Sequence, residues 1–238
     1  MLWLSRKDIE HISRRLLRDY LKKVPQKVDH IDPADFAEKM CGLQFTFADI
    51  SEAHDAIGLT ATSGVIITIP QRDGTKLDYE LDGKTAFIDQ SLVAENQIGR
   101  LNFTMMHEAA HQLFWMLYPE EYEAQTPRCV VRMTDEHTQY PVLDWEEWQT
   151  NVLTSYLLLP KELVYRHMAD VGLKDGITVL NRIYARKDYE RFSEAAKRLG
   201  VSKTALTIRL SQLGLVGRND LYDPYALVDI FPEKNEIA

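Results

Sequence analysis

Apolar residues recur at helical spacing in several parts of the chain. The spacing over residues 5–22 predicts an amphipathic helix with Ser5 as its N-cap. A short helix is expected over residues 32–40, because Asp32 is a favoured N-cap residue and Pro33 a favoured first helical residue. Further helices are predicted over residues 95–118, 145–158, 191–199 and 202–213.

The stretch between the second and third of these helices favours strands. Residues 64–70 form a run rich in β-branched side chains, and residues 85–89 form a second short run after the Asp82-Gly83 turn signal. We expect both to be strands of a small sheet, with the strand at 85–89 beside any cleft and able to pair with an extended peptide. Residues 119–144 show no period and are interpreted as a long loop.

Together these patterns predict an α+β fold that is mostly helical, with a small β-sheet confined to the N-terminal half. We expect a first domain over residues 1–165 and a helical C-terminal region over residues 166–238. At 45 % hydrophobic and 27 % charged residues, the composition is that of an ordinary globular protein.

Charge and cysteine content narrow the function classes. The net charge of −8 does not favour general phosphate binding, so a nucleic-acid role would need a local basic patch. The two cysteines exclude a disulfide scaffold and a cysteine-based zinc cluster. Neither a secretion signal nor an apolar run of the ~18 residues that a membrane span requires is found, which predicts a cytoplasmic protein without a membrane partner.

The strongest chemical motif lies inside the predicted helix at 95–118. His107 and His111 are four residues apart, so both imidazoles project from one helix face and can bind one ion. Glu108 is rotated by about 100° around the helix axis, which directs its carboxylate to a water on the metal and not to the metal. The pattern therefore predicts a hydrolytic Zn²⁺ site with Glu108 as general base.

A catalytic zinc usually has three protein ligands, so a third ligand is needed. Glu147 begins a narrow polar stripe on the apolar helix at 145–158, as expected of a ligand followed by supporting neighbours. Glu146 is the nearest competitor, and His137 precedes the helix and offers an imidazole. The spacing alone leaves these alternatives open.

Two segments resemble the ImmA/IrrE family of metallo-endopeptidases. Residues 100–111 match its R-x-x-F-T-x-x-H-E-x-x-H motif, and residues 147–160 are similar to its E-x-x-A-N … L-L-M-P helix. The order of the N-terminal helix and the two strands also fits, so the resemblance covers about residues 5–215. Within the second motif the chain departs from the family at three positions, which leave every proposed ligand intact: Thr150, Leu153 and Thr154.

The resemblance implies a zincin-like fold in which His107, His111 and Glu147 hold Zn²⁺ and Glu108 is the general base. It also implies a regulatory protease that cleaves a protein substrate such as a transcriptional repressor of the helix-turn-helix type. The water-activating residues would equally serve a zinc hydrolase that acts on a smaller substrate.

The tail supports an alternative function. Residues 192–210 have the pattern of a helix-turn-helix, and residues 181–218 contain nine basic and three acidic residues. A non-enzymatic regulator would bind DNA through Lys203, Thr204 and Thr207, or bind an acidic protein partner. DNA contact is not the favoured interpretation, because the resembled family has similar sequence here as part of its common architecture.

A hydrolase of this kind also needs a donor for the oxyanion of the transition state, beyond the metal itself. The sequence offers four candidates, none of which is favoured by spacing: His137, Tyr140, Tyr165 and His167.

Overall fold

A computed structural model describes residues 3–24, 27–71, 73–123, 128–133 and 145–224, and these form an α+β fold. The chain divides into two compact units, Met1–Pro160 and Lys161–Ala238. The helices described in the first unit are α1 (Arg6–Lys23), α2 (Pro33–Cys41), α3 (Ile98–Leu117), α4 (Pro119–Glu123) and α5 (Trp145–Leu158). Its described strands are β1 (Gln44–Ala48), β2 (Ala56–Ala61), β3 (Val65–Pro70), β4 (Lys76–Leu81), β5 (Thr85–Asp89) and β6 (Cys129–Met133).

Local capping signals place the first two helices, as predicted. Ser5 caps α1, accepting a hydrogen bond at Oγ from Asp8 N (3.2 Å), while the Asp8 carboxylate accepts one from Ser5 N (2.9 Å). At α2, Asp32 Oδ1 accepts hydrogen bonds from the backbone N–H groups of Ala34 (2.8 Å) and Asp35 (3.1 Å). Both predicted N-caps are confirmed.

Asp32→Ala is expected to lower the free energy of unfolding by about 1 kcal/mol, because two N–H groups at the start of α2 lose their acceptor. Denaturant unfolding measures this loss. The control Glu38→Ala changes an exposed residue of the same helix and is expected to stay within about 0.5 kcal/mol of the wild type. Equal stabilities of the two variants would contradict the capping role.

The main sheet has four strands in the order β1-β5-β2-β6. β1 and β5 are parallel, while β2 is antiparallel to both β5 and β6. All six residues of β2 are buried, since this strand is covered on both faces of the sheet. β3 and β4 form a separate antiparallel hairpin.

The sheet lies between α3 and the β3–β4 hairpin, and alternate side chains of β5 show this. Ile88 packs with Met105 of α3 in one apolar cluster. Phe87 points to the opposite face and lies against Tyr79 of the hairpin, with 5.4 Å between the ring centroids. The sheet is therefore buried on both faces, and the packing of Ile88 against Met105 holds α3 over one of them.

Three sequence predictions about the β-structure need correction. The sheet is not confined to the N-terminal half, because β6 joins it from residues 129–133. The same strand, together with α4, replaces part of the loop predicted over residues 119–144. β5 is an inner strand paired on both sides, so its backbone is not available to an extended peptide. Each strand is held by partners distant in sequence, which local patterns do not reveal.

The second unit contains α6 (Lys161–Asp170), β7 (Ile177–Leu180), α7 (Arg186–Arg198), α8 (Lys203–Gln212) and β8 (Val216–Asn219). The predicted helices of the tail are confirmed as α7 and α8. Gly200 between them adopts a positive φ of 68°, which is a conformation that glycine accepts without strain. Ser202 caps α8 by accepting a hydrogen bond from Ala205 N (3.1 Å). β7 and β8 pair in parallel.

Membrane insertion through a helix finds no support in the described part of the chain. None of the helices formed there has the length and apolar character needed to cross a bilayer.

Candidate metal centre

Helix α3 carries both histidines of the motif, and both are fully buried. The residue after His111, Gln112, anchors the helix to β2, because its side-chain amide donates hydrogen bonds to Thr60 Oγ1 (2.8 Å) and to the carbonyl of Ala61 (3.0 Å). This buried amide fixes the rotation and height of α3 over the sheet. The direction in which His107 and His111 point is fixed with it.

Helix α5 is positioned by the amino-terminal segment. The backbone N–H of Leu4 donates a hydrogen bond to Gln149 Oε1 (2.7 Å), and the rings of Trp3 and Trp145 lie 4.5 Å apart. These contacts hold the first turn of α5, which contains Glu147.

Two helices bring three ligand atoms together. Glu147 Oε2 lies 3.2 Å from His107 Nε2, and Glu147 Oε1 lies 3.0 Å from His111 Nε2. The two Nε2 atoms are 3.1 Å apart. His107, His111 and Glu147 form a group whose ligand atoms could hold one cation, as the sequence predicted.

The spacing of these atoms fits a small tetrahedral cation. Ligands at the usual Zn–N and Zn–O distances lie roughly 3.3 Å from each other at tetrahedral angles. Two imidazoles and one carboxylate are also a ligand set found in catalytic zinc sites with one open position. Glu147 is 30 % exposed while both histidines are 0 % exposed, so the site opens to solvent on the side of Glu147.

The electrostatics of the ligand group are asymmetric. Burial and the nearby Arg132 guanidinium lower the pKa of His107 to about 3. Burial also acts against protonation of His111, but the carboxylates of Glu146 and Glu147 outweigh it and raise that pKa to about 9. Burial opposes ionisation of Glu147 as well, yet its hydrogen bonds with the two imidazoles hold its pKa well below the usual range. Glu147 is therefore an anion, as a metal ligand must be.

Glu108 lies outside the ligand group and faces the sheet. Its side chain is fully buried, both carboxylate oxygens have no hydrogen-bond partner, and burial raises its pKa to about 8. An orphaned buried carboxylate is costly unless something else in the site uses it. The room for this carboxylate comes from Gly58 of β2, where any Cβ would overlap Glu108 Oε1.

Gly58→Ala is expected to lower stability by about 1–3 kcal/mol, because the added methyl would overlap Glu108 and lie 2.7 Å from Thr104 Cγ2. The displaced carboxylate should also reduce any hydrolytic activity that depends on it. Thermal unfolding and metal analysis of the purified variant test this, and the metal content should be retained because no ligand is touched. An unchanged melting temperature would contradict the close packing.

The two histidines have different partners on their Nδ1 atoms. His111 Nδ1 lies 3.7 Å from Glu146 Oε1, and Glu146 is itself held by Arg128 (2.7 Å). At 3.7 Å the Glu146 carboxylate acts on the His111 ring through its charge, on the side where metal sites commonly place a supporting carboxylate. His107 Nδ1, in contrast, accepts a hydrogen bond from Arg132 Nη1 (2.9 Å).

These contacts show the position of Glu146, which the sequence left open as an alternative third ligand. Glu146 contacts the far nitrogen of His111, so it supports that ring and is not grouped with the ligand atoms. His137 and Tyr140 lie outside the described residues. Tyr165 and His167 belong to α6 in the second unit, where Tyr165 is exposed and His167 is buried.

No pattern in the sequence indicated Arg132, Arg128 or Gly58. The two arginines lie in the segment that was interpreted as a loop, and their role depends on β6 pairing with β2. In that pairing Arg132 lies opposite Gly58, which places the arginine next to the site. No local motif encodes such a contact.

A second group that could hold a metal consists of Asp49, His54 and Asp89. Asp89 already accepts hydrogen bonds from the backbone N–H groups of Ile50 (3.2 Å) and Ser91 (3.0 Å), and His54 Nδ1 lies 3.1 Å from Asp89 Oδ1. These hydrogen bonds are sufficient to explain why the Asp89 carboxylate is buried, because they hold the loop around it in place.

Four of the nine basic residues in the tail, residues 181–218, form ion pairs with acids. Three of its arginines form ion pairs along α7 with carboxylates three or four residues away: Arg186–Glu190, Arg191–Asp188 and Arg198–Glu194. Arg218 pairs with Asp220, and Arg209 is buried. Lys203 lies over the ring of Tyr189 at 5.0 Å. The three acids of α7 are already counted against the nine basic residues of the segment, so these ion pairs leave its net positive charge in place.

Comparison with known proteins gives no further guide to the family, since neither a protein-family model nor a curated protein matches the chain.

Proposed function

We propose that the protein is a zinc-dependent metallo-endopeptidase with a zincin-like fold, similar to the ImmA/IrrE family. One observation carries the proposal: His107, His111 and Glu147 converge at tetrahedral spacing while the adjacent Glu108 is a buried carboxylate without a partner. A structural histidine pair would leave the burial of Glu108 unexplained. A hydrolytic centre accounts for both features.

In this proposal His107 Nε2, His111 Nε2 and one oxygen of Glu147 hold the ion. Zn²⁺ supplies Lewis acidity and makes water acidic near neutral pH when it is bound. The two helices contribute rigidity, because the ligands lie on packed elements and not on loops. The open side near Glu147 admits the substrate.

Glu108 has the proton-transfer role. Its buried carboxylate accepts a proton from the attacking water and then donates it to the nitrogen of the leaving amine. Burial raises the pKa of Glu108 and so makes its carboxylate a stronger proton acceptor, while the charge of a bound Zn²⁺ would favour the ionised form that accepts the proton. Gly58 keeps the space around this carboxylate open.

A peptide substrate suits the edge of the sheet. β6 is an end strand of the main sheet, and no strand among the described residues pairs with its outer edge. An extended peptide can add to such an edge through main-chain hydrogen bonds. This edge favours an endopeptidase over a hydrolase of small molecules, and the family resemblance suggests a transcriptional repressor as the substrate.

The test is to incubate the zinc-loaded protein with the repressor encoded by a neighbouring gene and with short peptides, followed by mass spectrometry. Cleavage of the folded repressor that is lost in Glu108→Gln would support the proposal. Hydrolysis of small amides or esters alone would indicate a different substrate class. Specific DNA binding by a chain that cleaves none of these substrates would favour the non-enzymatic regulator.

A further inference from the structure

The outer partner of His107 is unusual for a metal ligand. A ligating histidine normally donates its second N–H to a carboxylate, a carbonyl or water. Arg132 can only donate hydrogen bonds, since a guanidinium has no acceptor. The 2.9 Å contact between Arg132 Nη1 and His107 Nδ1 therefore makes Nδ1 the acceptor.

This assignment fixes the tautomer of His107. A neutral imidazole has one N–H and one lone pair, so the proton must lie on Nε2. From there it faces Glu147 Oε2 at 3.2 Å. A cation at the ligand group needs the lone pair of Nε2, which moves the proton to Nδ1 and places two donors, His107 Nδ1 and Arg132 Nη1, against each other.

We infer that Arg132 competes with the metal ion for His107, so that Arg132 is a positioning residue which lowers the metal affinity of the site. The inference rests on the proposed metal centre. Metal binding then requires the Arg132–His107 hydrogen bond to break. Arg132 therefore raises the concentration of free metal that is needed to fill the site.

The structure also shows what retains Arg132 after that bond breaks. Arg132 Nη1 lies 3.2 Å from Asn151 Oδ1, and the guanidinium carbon lies 5.1 Å from the centroid of the Phe103 ring. These contacts do not involve His107 and can persist with metal bound. Arg132 can therefore leave Nδ1 by a small movement, without unfolding β6.

The positive charge acts in the same direction as the hydrogen bond. A guanidinium beside a ligand repels a divalent cation, whereas Glu146 beside His111 attracts one. The two histidines thus have opposed surroundings, with His111 supported as a ligand and His107 held back. The metal site is built to exchange its ion more readily than one with two supporting carboxylates.

The test is a chelator-competition titration of Zn²⁺ on the full chain, comparing Arg132→Met with the wild type. Competition predicts that Arg132→Met binds Zn²⁺ about tenfold more tightly, the equivalent of one hydrogen bond with a charged donor. If Arg132 instead supported His107 as outer partners usually do, the variant would bind about 10–100-fold more weakly, which would overturn the inference. Arg132→Lys keeps a cationic donor and should resemble the wild type more than Arg132→Met does.

A second measurement needs no variant at position 132. Long-range ¹H–¹⁵N NMR of the protein before zinc is added should show His107 protonated on Nε2, and zinc should move the proton to Nδ1. A proton on Nδ1 before zinc is added would overturn the inference. His107→Ala tests the metal centre separately from the role of Arg132. If this variant binds Zn²⁺ like the wild type, the proposed metal centre is wrong. If it loses Zn²⁺ binding, the metal centre stands and the titration decides the role of Arg132.

Discussion

Glu108→Gln is expected to lower kcat for peptide-bond hydrolysis by about 10²–10⁴-fold while the bound Zn²⁺ is retained. The amide is nearly isosteric with the carboxylate, so it fits the space beside Gly58, but it does not accept a proton from water. Because Glu108 lies outside the ligand group, the metal content should stay at one ion per chain. This variant should therefore lose its activity and keep its metal.

The matched control is Glu95→Gln, which makes the same change at an exposed position. This control should keep both full activity and full metal content. Loss of zinc from Glu108→Gln would mean that the carboxylate is a ligand and not a base. Retention of activity would remove Glu108 from the reaction.

Glu147→Gln is expected to weaken Zn²⁺ binding by more than the roughly 10–100-fold that removal of an outer partner costs. The change removes the only carboxylate of the ligand group, and its anion is what holds the two imidazoles in place at 3.0 and 3.2 Å. An uncharged amide oxygen is a much poorer ligand for a divalent cation. Metal content after dialysis and the dissociation constant from chelator competition measure the effect.

The neighbouring Glu146→Gln provides the comparison, since it removes a carboxylate one residue away. Glu146 contacts the far nitrogen of His111, so its loss should weaken binding by only about 10–100-fold. If Glu146→Gln were the more damaging of the two, the assignment of ligand and supporting residue would have to be exchanged.

The first two helices of the fold followed from local signals. α1 and α2 begin at the predicted caps, and the capping atoms are within one turn of the residues that they bind. β2 and β6 could not be predicted in this way. β2 is buried on both faces and so shows no alternation, and β6 exists because β2 is its neighbour.

The same difference between local and long-range signals applies to the residues of the candidate site. The four-residue spacing of His107 and His111 is a property of one helix, so sequence was enough to bring these rings together. Glu147 lies on another helix, and the sequence could only place it at the head of a polar stripe, with Glu146 as a competitor. Arg132 arrives from a strand paired at long range, and its contact with His107 is visible only in the folded chain.

The most direct test is a crystal structure of the zinc-loaded protein with diffraction data collected at the zinc absorption edge. We expect one anomalous peak per chain, within about 2.0–2.2 Å of His107 Nε2, His111 Nε2 and a Glu147 carboxylate oxygen. A peak elsewhere, or a Glu147 side chain turned away from both imidazoles, would contradict the assignment of this cluster as the metal centre.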